Sequence, residues 1–228
     1  FYGRIGENDR SLKVLTRLSS VGTNDPGHLV DLGDRYFQDG NQPLAIQTWK
    51  RILTTITPKQ RALSALGDVY MEHDMLADAL ASFREAVQLE PANNGYKKQL
   101  ASALERSKSY KESRQIWQEL SDKAKATNDK LLAREARSRI VTLWSFEHIL
   151  DQQVAPLQAK CNATPPDVEA GRMLAEVLLH IQRRINESEQ VLRRVIELAP
   201  GDTESYLALE RVLVQENKTA DAILILEK

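Results

Sequence analysis

Residues 60–93 read QRALSALGDVYMEHDMLADALASFREAVQLEPAN, and this stretch decides the fold. Leu63, Leu66, Gly67 and Tyr70 share one face of a helix, with the small Ala62 beside them. Asp74 breaks the apolar pattern. Ala79, Phe83, Ala86 and Val87 then form a second helical stripe, which Pro91 closes. Two amphipathic helices joined by so short a polar break fold back on each other as a hairpin. Gly67 and Ala79 are expected at the crossing, where larger side chains would hold the helices apart. Phe83 is expected to fill the space toward the next hairpin.

The pattern returns 34 residues earlier, where Leu29, Leu32, Gly33, Tyr36, Gly40, Ala45 and Trp49 keep the same register and the proline arrives one place late, at Pro58. It also returns 34 residues later: Leu100, Ala101, Leu104, Ser113 and Trp117 stay in phase, although Gly, Tyr and Pro are lost. A fixed period of this size signals stacked supersecondary units rather than one globular core. The set of large residue, Leu-Gly, Tyr, Ala, aromatic, Ala and Pro resembles the tetratricopeptide repeat (TPR) signature. That resemblance implies an all-α, right-handed superhelical solenoid of helix-turn-helix hairpins. It also implies that the first helix of each hairpin lines a concave groove that holds a partner.

Carried along the chain, the register gives a single solenoid over 1–228, read as a piece of a longer array. It opens with a partial repeat, 1–25, in which Tyr2, Gly6, Ser11, Leu15 and Leu18 are in phase. Repeats 26–59, 60–93 and 94–127 follow, then a degenerate hairpin at 128–167 and repeats at 168–202 and 203–228, the last truncated. Pro156 falls in the second helix of the degenerate hairpin, where proline costs about 3 kcal/mol, so a kink or a late start is expected. In the next repeat Leu174, Ala175, Leu178, Ser188, Leu192, Val195 and Pro200 fit with one extra residue between the helices. Asn186 with Glu189 reads there as a capping box.

Composition narrows the function. A net charge of -1 and a pI near 6.5 give no global basic field, so neither nucleic acid nor an anionic membrane surface is an expected partner. Cys161 is the only cysteine, which excludes an internal disulfide framework and any CxxC motif. Apolar runs such as Val177-Leu178-Leu179 are too short to insert in a bilayer. A lone cysteine and no visible leader pattern give a cytoplasmic expectation, with the periplasm left open because the chain starts at Phe1. Oligomeric state is left open, because cut repeats would expose apolar helix faces.

No residue set supports catalysis, a cofactor or a metal. His28, His73, His148 and His180 are widely spaced, and none has partners at ligand spacing. His73-Asp74 reads as a solvated pair in a turn. Gly3 to Gly6 lacks a preceding strand and a following GK[ST], so it is not a phosphate loop. The sequons at Asn162, Asn186 and Asn217 lie near turns, where caps and turns favour these residues anyway.

The functional candidates are therefore the groove positions implied by the resemblance. They are Val30, Asp34, Phe37 and Gln38 in the first full repeat, Arg61, Ser64, Asp68, Met71 and Glu72 in the second, and Lys98, Ser102, Glu105 and Arg106 in the third. Phe37 beside Met71 suggests an apolar anchor pocket; the alternative is that each packs on its neighbouring helix. Some family members clamp an acidic C-terminal peptide with Lys, Arg and Asn on successive first helices. This chain has Val30, Asp34 and Ala65 at those places, so that ligand is not expected.

Charge is divided. Residues 60–96 carry two cations against six carboxylates, and residues 97–139 carry twelve cations against six. The expected function is a non-catalytic scaffold for a protein or peptide, of basic character with an apolar anchor. Two alternatives remain: a regulatory or substrate-presenting arm of a larger enzyme such as a glycosyltransferase, or a spacer in an envelope or export assembly.

Overall fold

The computed structural model describes residues 13–14, 16–17, 26–182 and 184–226. The register residues of the partial first repeat, Tyr2, Gly6, Ser11, Leu15 and Leu18, lie outside the described residues, and Lys13, Val14, Thr16 and Arg17 are helical. Among the described residues the fold is all-α, and consecutive helices pack in pairs. The helices are α1 (Pro26–Gln38), α2 (Gln42–Lys50), the single turn α3 (Ile52–Thr55), α4 (Lys59–Glu72), α5 (Leu76–Leu89), α6 (Asn94–Arg106) and α7 (Tyr110–Thr127). They continue as α8 (Lys130–Phe146), α9 (Leu150–Cys161), α10 (Val168–His180), α11 (Ile185–Leu198), α12 (Thr203–Gln215) and α13 (Thr219–Leu226). Two compact units divide the chain, Phe1–Ile116 and Trp117–Lys228.

Local chemistry starts and stops the helices. Asn41, Asn93, Asp129 and Asp167 each accept a backbone N–H of the helix that follows, at 2.9–3.3 Å. Most hairpin turns share one closing device. The residues Gly40, Asp74, Lys108, His148 and Asn217 take a left-handed φ of 56–81°. The next residue then donates its N–H back across the turn, to Tyr36, Tyr70, Leu104, Trp144 and Leu213, at 2.8–3.0 Å. Three of those left-handed positions, 40, 74 and 108, recur at the repeat period. Only the first is glycine. The α10–α11 connection differs, because Ile181 leaves the helix extended, at φ -91° and ψ 124°. The extra residue in the sequence falls at this turn.

In the first unit aromatic rings fit against glycines. A Cβ on Gly67 would stand 2.5 Å from Phe83, and one on Gly33 would stand 2.1 Å from the indole of Trp49. Phe83 therefore closes its own hairpin, and the core it joins continues to Leu100, Ala103 and Leu104 of α6. Trp49, Tyr70, Phe83, Ala45 and Ala79 are all buried. The Tyr70 hydroxyl is buried without a hydrogen-bond partner, and burial first, then the charge of Asp78, pushes its pKa up to about 12.

In the second unit the register puts the aliphatic Leu192 where Phe83 stands and Ala175 where Gly67 stands, and both are buried. Val195 of α11 meets Gly171 of α10, where a Cβ would stand 2.5 Å from the valine methyl. The core of the last two hairpins runs through Ala175, Leu192, Leu209, Val212 and Leu213. Two expectations are corrected here. The capping box at Asn186 and Glu189 does not form, since α11 already begins at Ile185 after Arg184. The Arg184 guanidinium instead pairs with Glu187 at 2.6–2.8 Å, and Glu189 faces Arg193 and Lys218. Nor does Pro156 delay its helix, because α9 starts at Leu150 and runs to Cys161. Pro156 can give no N–H to the carbonyl of Gln152, but the flanking bonds carry the helix past it.

Candidate partner-binding surface

The first helices of the hairpins in the first unit are α1, α4 and α6, and side-chain bonds join them in sequence. Asp34 of α1 accepts from the Trp49 indole at 3.2 Å and bonds the His73 ring at 2.9 Å. Ser64 of α4 donates to the Gln99 carbonyl oxygen at 2.7 Å, and the Gln99 amide donates to both Asp68 oxygens at 2.9 and 3.0 Å. Arg106 of α6 reaches back to the Met71 carbonyl at 2.7 Å and to the Asp74 carboxylate.

These bonds bring together most of the expected groove residues and change what several can do. Asp34 is engaged by two partners inside the unit. Phe37 packs on His73 and Trp49, with centroids 4.6 and 5.8 Å away, and Val30 gives its carbonyl to the same indole at 3.3 Å. Met71 is half-buried against the core, and Ser64 is buried rather than solvent-facing. Arg61, Gln38, Ser102, Asp68, Glu72 and Arg106 are exposed, while Lys98 and Glu105 are half-buried, the latter accepting from Ser113 at 3.2 Å. Burial pushes the Asp68 carboxyl above its ordinary value; Gln99 opposes that shift and the neighbouring charge of Glu72 adds to it.

His73 is a correction to the sequence reading. It is not a solvated partner of Asp74: its ring stacks on Trp49 at 4.5 Å and 26° while its Nε2 meets Asp34. No local pattern signals this, because the contact spans the turn between two repeats.

In the second unit α8, α10 and α12 are the first helices, and a charged network that the sequence reading missed crosses them. Arg137 of α8 is buried. It donates to Glu169 at 2.7 Å, to Glu176 at 3.2 Å, both on α10, and to Glu204 on α12. Arg172 of α10 pairs with Asp202 at 2.8 Å and Glu169 at 2.7 Å. Both guanidiniums are held in the charged form, since burial alone would disfavour the charge and the surrounding carboxylates overcome it. The signal was present: Arg137 and Arg172 are 35 residues apart, as are Glu169 and Glu204. Two clefts flank this network. One of about 280 Å³ is lined by Arg134, Leu179, Leu207 and Arg211 among others, and one of about 540 Å³ by Lys125, Lys130 and Gly201 among others.

The described residues contain no group of His, Cys, Asp and Glu arranged to hold a metal ion, and no helix long and apolar enough to cross a membrane. The family model of the tetratricopeptide repeat matches residues 60–93, the hairpin of α4 and α5. That hairpin is a tetratricopeptide repeat.

Solved structures similar to this chain include a tetratricopeptide repeat protein from Parabacteroides merdae, at 16% identity over 89% of this chain and 77% of that one, with a TM-score of 0.45. The C-terminal part of a TPR repeat-containing protein from Cytophaga hutchinsonii is similar at 12% identity over 96% of this chain and 84% of that one, with a TM-score of 0.47. YrrB, a TPR protein with an unusual peptide-binding site, is similar at 16% identity over 85% and 96% of the two chains, with a TM-score of 0.41. No curated protein matches the chain.

Proposed function

We propose that this chain is a tetratricopeptide repeat solenoid and a non-catalytic adaptor that holds a partner segment across the exposed positions of α1, α4 and α6. The segment is basic and carries one apolar side chain. The observation that carries this reading is the pair Asp68 and Glu72. Both are exposed, they stand one helical turn apart, and like charges at that spacing repel. Burial is the main cause that raises the Asp68 carboxyl, and the charge of Glu72 adds to it in the same direction. A lysine or arginine of a partner between the two would relieve that repulsion, and Phe37 and Met71 nearby offer the apolar contact. The division into repeats at 26–59, 60–93, 94–127, 128–167, 168–202 and 203–228 belongs to the same proposal, supported by the recurring left-handed turns.

The test is affinity capture with the wild-type chain and with an Asp68→Lys/Glu72→Lys chain. A partner held by the first and released by the second is the expected result, with release by salt because the rim charges are exposed. Equal retention by both would refute the reading. Asp34 is left intact in this test, since its loss would unpair Trp49 and His73 and confuse binding with folding.

A further inference from the structure

The cleft of about 280 Å³ in the second unit combines two kinds of wall. Leu179, Leu192, Leu207, Ala175 and Ala208 are apolar, and Leu207 is 40% exposed. Around them stand four arginines and two glutamates. Their pairing is unequal. Glu176 and Glu204 are taken by Arg137, and Arg172 is saturated by Asp202 and Glu169. Arg134 comes no nearer than 4.0 Å to Glu204, and Arg211 forms no ion pair among the described residues. The carboxylates of the cleft are thus consumed below, while two exposed guanidiniums border its apolar floor.

We infer that this cleft is a second docking site, for an acidic peptide segment bearing a large apolar side chain. The apolar group would cover Leu207 and Leu179, removing from water a surface left open among the first helices. A side-chain carboxylate of the segment would take Arg211 and Arg134. Guanidinium binds carboxylate through two parallel hydrogen bonds, which fixes orientation as well as charge. A basic segment is rejected, because its cations would meet the same two arginines while the nearby carboxylates are already engaged. The inference rests on the first helices being the working surface, and it extends that surface to a ligand of opposite charge.

The test is selection of random displayed peptides on the whole chain, run beside an Arg134→Glu/Arg211→Glu chain and an Asp68→Lys/Glu72→Lys chain. Acidic peptides with an apolar residue should be enriched on the wild type, lost on the arginine variant and kept on the other. A synthetic copy should lose about tenfold or more in affinity with the arginine variant, by fluorescence anisotropy. Arg134→Gln/Arg211→Gln, which removes charge without reversing it, should give an intermediate loss, and thermal melts should show every variant folded. Acidic peptides that bind the arginine variant as well as the wild type overturn the inference, as does a selection with no acidic and apolar enrichment. Basic peptides lost only with the Asp68→Lys/Glu72→Lys chain overturn it too, while leaving the proposed function standing.

Discussion

The two units solve one packing problem with different chemistry. In the first, a large ring on the second helix sits against a glycine on the first: Trp49 on Gly33 and Phe83 on Gly67. In the second, Ala175 and Leu192 stand at the glycine and ring positions of the register, and a buried arginine surrounded by three glutamates ties the first helices together. Shape holds the regular repeats, and charge pairing joins the hairpins where the signature has weakened. In the first unit Asp68 and Glu72 stay exposed on α4, whereas the ion network of the second engages Glu169, Glu176 and Glu204 and leaves Arg134 and Arg211 exposed. The two packing solutions therefore differ in the charge that each unit leaves exposed.

The largest expected effect comes from removing the hub. Arg137→Ala removes the arginine that Glu176 pairs with and leaves Glu169 and Glu204 only their contacts to Arg172 and Arg134, and should cost about 3–5 kcal/mol in urea unfolding. If it costs no more than a surface change, charge does not hold the second unit and the comparison fails. Next is Gly67→Ala, which puts a methyl 2.5 Å from the Phe83 ring and should cost about 1–3 kcal/mol by the same measurement. A neutral result would mean that Phe83 is free to shift, and that the ring is not keyed to the glycine.

Tyr70→Phe sharpens the contrast from the other direction. The ring packs edge-on against Trp49 at 6.2 Å while its hydroxyl has no partner, so deleting the oxygen should stabilise the first unit by about 1 kcal/mol. Destabilisation would reveal a bonded hydroxyl.

The smallest effect is a pH dependence confined to the second unit. Lys218 first, and Arg193 with it, hold the Glu189 carboxyl at about 2 against an ordinary value of 4.5. A lowered pKa means that its stabilisation is fully present above about pH 4.5 and is lost as pH falls toward 2. Melting points of the wild type and Glu189→Gln should differ at neutral pH and converge over that window. Curves that stay parallel down to pH 2 would show that the pair does not couple to folding.

Much of this was legible in the chain. Leu66-Gly67-Tyr70 with Ala79 and Phe83 gave two helices, their crossing and their close approach, because each depends on residues within a single repeat. The candidate surface was legible only in part. The register gave the positions on the first helices, but the availability of each depended on neighbours one repeat away. Asp34 looked open until His73 met it across 39 residues, and Ser64 until Gln99 met it across 35. The capping box at Asn186 failed for a local reason: the helix begins one residue earlier, at Ile185, so Asn186 lies inside the first turn.

The sequence by itself determined the hairpins and their period, since steric complementarity between near neighbours is written in residue size and spacing. Only the tertiary structure decided which charges are spent and which remain. An arginine reads the same along the chain whether it ends buried among three glutamates, as Arg137 does, or at the edge of a cleft, as Arg211 does. Its electrostatic role is set by what folding brings within a few ångströms of it.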